Sequence, residues 1–85
     1  MLYPVANKTN LVKLLRDRGY DVPSIRAASF TRHSRSYWMR WEDSGGRVHN
    51  AYYTGAAGRP VLQVDKDWLQ LTMAEAIRYG LVEKK

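Results

Sequence analysis

Between Arg32 and Thr54 the chain concentrates the side chains best suited to hold a polyanion. Arg32, Arg35, Arg40 and Arg47 supply guanidinium groups, Trp38 and Tyr53 supply ring faces, and His49 supplies an imidazole. Arginine forks onto phosphate with paired hydrogen bonds and lies flat on aromatic rings, which lysine does not do. Stacking of a base on an aromatic side chain contributes about 1–3 kcal/mol. These types at this density imply a nucleic-acid contact. The four arginines would grip backbone or base edges, while Trp38, His49 and Tyr53 would meet bases or sugars. From Val22 to Trp41 there is no carboxylate at all, while Arg26, Arg32, Arg35 and Arg40 fall in that interval. The competing reading puts Trp38 and Tyr53 in a core between sheet and helices and leaves the arginines as a solvated face. A second basic group, Lys13, Arg16 and Arg18 with Lys8 nearby, could track phosphates or form an ordinary exposed helix face.

Signals for catalysis are poor. There is no cysteine to serve as nucleophile or thiolate ligand. The two histidines, His33 and His49, lie in no metal motif of the H-E-x-x-H kind. Asp65 and Asp67 lack the glycine and the downstream glutamate of a calcium loop. Gly55 and Gly58 lack the lysine and hydroxyl residue of a phosphate-binding loop. The expectation is a protein that is not an enzyme and carries no cofactor or metal.

The element that must position the arginine and aromatic groups is a β-hairpin. Two β-prone runs, about 36–43 and about 47–54, flank Ser44-Gly45-Gly46, a strong turn signal. A two-residue or a four-residue loop pairs Trp41 with Val48, Met39 with Asn50 and Tyr37 with Tyr52. One face then carries Tyr37, Met39, Trp41, Val48 and Tyr52, with Asn50 as its odd polar member. The other carries Trp38, Arg40, Glu42, Arg47, His49 and Tyr53, with Glu42 opposite Arg47 as a favourable charge pair. A three-residue loop would turn one strand over relative to the other, because a slip of one residue moves every side chain to the opposite face.

The flanking segments read as follows. Met1–Ala6 is an edge strand or extended arm, confined to an edge by Pro4. Thr9 or Asn10 caps a helix over about 10–18, with Leu11, Leu14 and Leu15 as its apolar stripe. Gly19 ends that helix in the left-handed conformation, followed by the apolar Tyr20. Residues 24–34 fit either a second helix capped by Ser24 or a strand. Gly55 to Gly58 is a flexible connection, V-L-Q-V a short strand, Asp65-Lys66-Asp67 a turn and W-L-Q-L a returning strand. Thr72 and Glu75 form a capping box at the start of a helix over about 73–79 that ends at Gly80. Leu81 and Val82 fold back as apolar closure, and Glu83-Lys84-Lys85 frays.

The fold class is therefore α+β: a small antiparallel sheet built on the central hairpin, with one helix before it and one short helix after it. If residues 24–34 are helical, the order of L-L-R-D-R-G-Y-D-V-P, a second helix and a hairpin wing resembles a winged helix-turn-helix over about residues 9–54. That resemblance would make 24–34 the recognition helix.

Eighty-five residues suit one domain, residues 1–85, with a modest core. The net charge of +6 and pI near 9.9 favour polyanionic partners through long-range attraction. No apolar run approaches the ~20 residues that span a bilayer, and no secretory signal opens the chain, so a cytoplasmic location is expected. The leading expectation is a small basic nucleic-acid-binding protein, DNA ahead of RNA. The alternative is a non-catalytic protein-interaction module, an inhibitor or adaptor, because Tyr, Trp and Arg are also enriched at interface hot spots. An exposed hairpin edge or the N-terminal arm could pair two copies.

Overall fold

The computed structural model describes residues 2–56 and 59–84. In chain order the elements are β1 (Leu2–Pro4), α1 (Lys8–Asp17), β2 (Ser29–His33), β3 (Ser36–Glu42), β4 (Val48–Ala56), β5 (Arg59–Val64), β6 (Asp67–Leu69), α2 (Met73–Arg78) and β7 (Val82–Lys84). The α+β class, the two helices and the central hairpin agree with the reading of the sequence. Five strands form one antiparallel meander in the order β2-β3-β4-β5-β6, and β1 pairs with β7 in a separate ribbon. Met1, Ala57, Gly58 and Lys85, which belong to the expected arm, connection and tail, lie outside the described residues.

Both helices are bounded by side-chain and glycine chemistry. Asn7, rather than Thr9 or Asn10, caps α1 by accepting a hydrogen bond from the Asn10 amide at 2.8 Å. Thr72 caps α2 in the expected reciprocal box with Glu75. The C-terminal ends use one device twice. After α1, Gly19 (φ +93°) and Tyr20 donate back to the carbonyls of Arg16 and Leu15. After α2, Gly80 (φ +70°) and Leu81 donate back to those of Ile77 and Ala76. In each case a left-handed glycine satisfies orphan carbonyls and turns an apolar residue inward.

One face of the sheet is core. Tyr37, Met39, Trp41, Ala51, Tyr53, Leu62 and Val64 pack against Leu11, Val12, Leu14 and Leu15 of α1, Ala76 of α2 and Leu81. Strand alternation therefore sends the intervening residues to the opposite face. The segment after α1 is latched to the hairpin. The Trp41 indole N–H donates to the Asp21 carbonyl at 2.9 Å, and the Asp21 carboxylate accepts from the Ser44 amide at 2.8 Å.

Of the two readings of residues 24–34, the strand holds over Ser29–His33, and the expected hairpin register is corrected. Residues 24–34 are not a second helix, so the winged helix-turn-helix arrangement does not form. Ser24 closes a single turn, accepting from Ala27 and Ala28, and the chain then enters β2. Phe30 lies opposite Met39 and stacks on Tyr37 with centroids 5.7 Å apart, so the apolar content of this segment is used by strand pairing.

The hairpin register is also shifted by one residue. Tyr37 pairs with Tyr53, Trp38 with Tyr52, Met39 with Ala51, Trp41 with His49 and Glu42 with Val48. The loop is the three-residue alternative, Ser44-Gly45-Gly46, closed by hydrogen bonds from the Asp43 amide to Arg47 O and from the Gly46 amide to Asp43 O. Gly46 adopts φ +84°, the left-handed position of a turn followed by a bulge. The Asp43 carboxylate accepts from the Gly45 and Arg47 amides at 2.9 Å and holds that loop. Glu42 consequently faces Val48 rather than Arg47.

Candidate functional site

The face of the sheet turned away from the core carries a continuous row across all five strands. Thr31 is opposite Trp38, Trp38 opposite Tyr52, Tyr52 opposite Gln63, and Gln63 opposite Trp68. Trp38 is 50% exposed and Trp68 64% exposed, unusual values for side chains of this size. Trp38 and Tyr52 lie against each other with ring centroids 4.2 Å apart and planes tilted by 43°. They form one aromatic platform, and Trp68 forms a second on the outer strand. At the usual spacing of about 4.8 Å between strands, β3 and β6 stand roughly 14 Å apart.

Polar side chains around the row fall into two groups. Toward the Ser34-Arg35 turn, hydroxyls satisfy one another: Ser36 Oγ is 3.1 Å from both the Tyr52 hydroxyl and Thr54 Oγ1. Toward the Asp43–Arg47 loop, Arg40 pairs across the ladder with Asn50. Among the described residues, the side chains of Arg40, Asn50 and Gln63 show no hydrogen bond or ion pair. An open depression lined by Ala27, Ser29, Arg40, Trp41, Glu42 and Val48 takes in Arg40.

The residues expected to form one binding face are distributed over several positions. Trp38 and Arg40 stand on the open face. Arg35 lies in the turn between β2 and β3, and Arg47 at the far end of the hairpin, so the two bracket β3. Arg32 is opposite Tyr37 on the core-side parity, at the exposed rim, where its Nε donates to the Ser34 carbonyl. Tyr53 is wholly buried and donates its hydroxyl to the Leu81 carbonyl at 2.5 Å. Burial, with the neighbouring Tyr37, pushes its phenol well above the ordinary range.

His49 is held between two carboxylates. Its Nδ1 is 2.8 Å from Asp65 Oδ2 and its Nε2 is 2.8 Å from Asp43 Oδ2, while its ring stacks on Trp41 with centroids 5.3 Å apart. A neutral imidazole donates through one nitrogen only. This geometry therefore calls for the imidazolium. The bond to Asp65, then that to Asp43, raises the His49 pKa, and the same bonds hold both carboxyls below their usual range. Asp65 sits at φ +55° as the first residue of the two-residue turn between β5 and β6. Its other carboxylate oxygen accepts from the Asn50 amide at 3.1 Å. The clasp fixes the Asp43–Arg47 loop to the hairpin that carries Trp68.

Four open-face residues escaped the sequence reading: Asn50, Tyr52, Gln63 and Trp68. Leu62 and Val64 as a buried pair already implied that Gln63 points outward. A two-residue turn at Asp65-Lys66 would then have set Trp68 opposite it. Comparison of the chain with protein-family models, with curated proteins and with solved structures finds no match.

Proposed function

We propose that this protein binds single-stranded nucleic acid on the open face of its sheet. The observation that carries the reading is the exposed row in which the Trp38–Tyr52 platform and Trp68 share one cross-sheet line. Aromatic rings on an exposed sheet surface offer stacking sites that any unpaired base can occupy. In a duplex those base faces are already stacked, so the platforms favour the single strand. A two-stranded ribbon in a major groove fits less well, because β3 and β4 are both interior strands with neighbours on each side.

Charge supports the same partner. The net charge is +6, Arg40 rises from the face itself, and Arg35 and Arg47 stand at its two ends. Glu42 is the sole carboxylate among the open-face positions of the five strands, and it lies at the end nearest the Asp43–Arg47 loop. A strand crossing the row therefore meets rings in the middle and positive charge around them.

The test is fluorescence anisotropy with labelled single- and double-stranded DNA and RNA oligomers at two salt concentrations. Binding to single strands that weakens with salt, through release of condensed counterions, supports the reading. Tighter binding to duplex of every sequence would overturn it. Absence of binding to every oligomer would turn the same aromatic face into a candidate protein-docking surface.

A further inference from the structure

We infer that the open face discriminates among bases and selects purines in the strand it holds, with Arg40, Asn50 and Gln63 reading the edge of a base stacked on Trp38 and Tyr52. The inference rests on the single-strand reading above and adds specificity to it.

The placement of these three side chains carries the argument. Gln63 stands directly opposite Tyr52 across the β4–β5 ladder, where facing side chains approach within about 5 Å. Asn50 lies two residues from Tyr52 on β4, and Arg40 two residues from Trp38 on β3, each roughly 7 Å along its strand on the same face. The aromatic platform is thus flanked by Asn50 and Arg40 on the side nearest the loop and by Gln63 along its β5 edge. The side away from the loop is different. There Ser36, Tyr52 and Thr54 hydroxyls use their hydrogen-bonding capacity on one another. The capacity left open at Asn50 and Arg40 lies on the loop side of the platform and that of Gln63 along its β5 edge, the two borders a base edge would reach.

Chemistry then indicates the base. Amide side chains grip adenine at N6 and N7 with two hydrogen bonds, and a guanidinium grips guanine at O6 and N7 in the same way. Purines also present the larger ring to a stacking platform. Pyrimidines stack less and lack the paired N7 edge. Trp68, beyond Gln63 in the same row, is placed to stack a neighbouring base of either type.

The experiment compares otherwise identical single strands that carry adenine, guanine, cytosine or thymine at the central positions, titrated against the full chain. The Gln63→Met and Arg40→Lys variants are run beside it. Neither replaced side chain makes a hydrogen bond or ion pair among the described residues, so folding is checked simply by circular dichroism. Wild type is expected to prefer purine strands by about tenfold. Gln63→Met should erase most of the adenine preference. Arg40→Lys, which keeps the charge and loses the fork, should erase the guanine preference relative to the other three bases. Equal affinity for all four bases, or a purine preference untouched in both variants, overturns this inference and leaves single-strand binding standing. Failure of every oligomer to bind overturns both.

Discussion

Trp38 and Tyr52 face each other across the β3–β4 ladder on the side of the sheet away from α1 and α2, while their sequence neighbours Tyr37 and Tyr53 face each other inside the core. Two aromatic pairs with adjacent numbers thus have opposite fates. The difference is set by strand parity alone. It follows that Trp38 and Tyr53 should respond to mutation in opposite ways.

Tyr53→Phe removes a hydroxyl that donates to the Leu81 carbonyl, which keeps its bond from the Val5 amide. It should destabilise the fold by about 0.5–1.5 kcal/mol, read as a lower urea midpoint, with nucleic-acid affinity unchanged in the folded protein. Trp38→Ala should leave the urea midpoint close to wild type and lower affinity for single strands by about 1–3 kcal/mol, the worth of one stacked base.

Gly46→Ala tests the loop that sets the register. The nearest atom to an added Cβ is Glu42 Oε1 at 3.7 Å, so space is not limiting. The cost comes from φ +84°, which L-residues adopt at a penalty of about 1–2 kcal/mol. The stability should fall by that amount, read as a lower urea midpoint with the slope unchanged. A neutral result would mean that the loop is not held in this conformation.

The Asp43–His49–Asp65 clasp makes stability depend on pH in a defined direction. His49 has a raised pKa, so its contribution is fully present below its ordinary value of 6.5 and is lost as pH rises through the higher folded-state value. Asp43 and Asp65 have lowered pKa values, so theirs is present above 3.8 and is lost as pH falls through the lower folded-state values. The difference in melting temperature between wild type and His49→Gln should therefore be largest between 3.8 and 6.5 and shrink at alkaline pH. A difference that stays constant into the alkaline range would mean that His49 acts as a neutral packing group.

Thr72→Ala should cost about 1 kcal/mol by opening the capping box of α2. The same change should lower the melting temperature without affecting the open face, since α2 packs on the core side of the sheet. An altered oligomer affinity would place part of the binding surface on α2.

How much of this could be read from the sequence follows from where the deciding contacts lie. Local signals were sufficient for the capping box, for Gly19 and Gly80 as helix ends, and for the alternation of Tyr37, Met39 and Trp41 into the core. The register was not locally decidable, because Ser44-Gly45-Gly46 suits loops of two, three or four residues. The choice is supported by Asp43 accepting from Gly45 and Arg47, and by Asp21, distant in sequence, accepting from Ser44. That single choice exchanged His49 and Tyr53 for Asn50 and Tyr52 on the open face. The strand at Ser29–His33 was hidden for a similar reason. Its one large apolar residue, Phe30, gains its meaning from Tyr37 and Met39 across the ladder.

The most direct test of the central claim is an amide and indole chemical-shift map with a short single-stranded oligomer. The three tryptophans provide their own control. Trp38 and Trp68 are exposed in the row, while the Trp41 indole N–H is bonded to the Asp21 carbonyl beneath the sheet. On this account the Trp38 and Trp68 indole signals shift on titration, together with the amides of Thr31, Tyr52 and Gln63, and the Trp41 signal stays in place. Shifts confined to α1 or to the core-side rim around Arg32, with both exposed indoles unmoved, would contradict it.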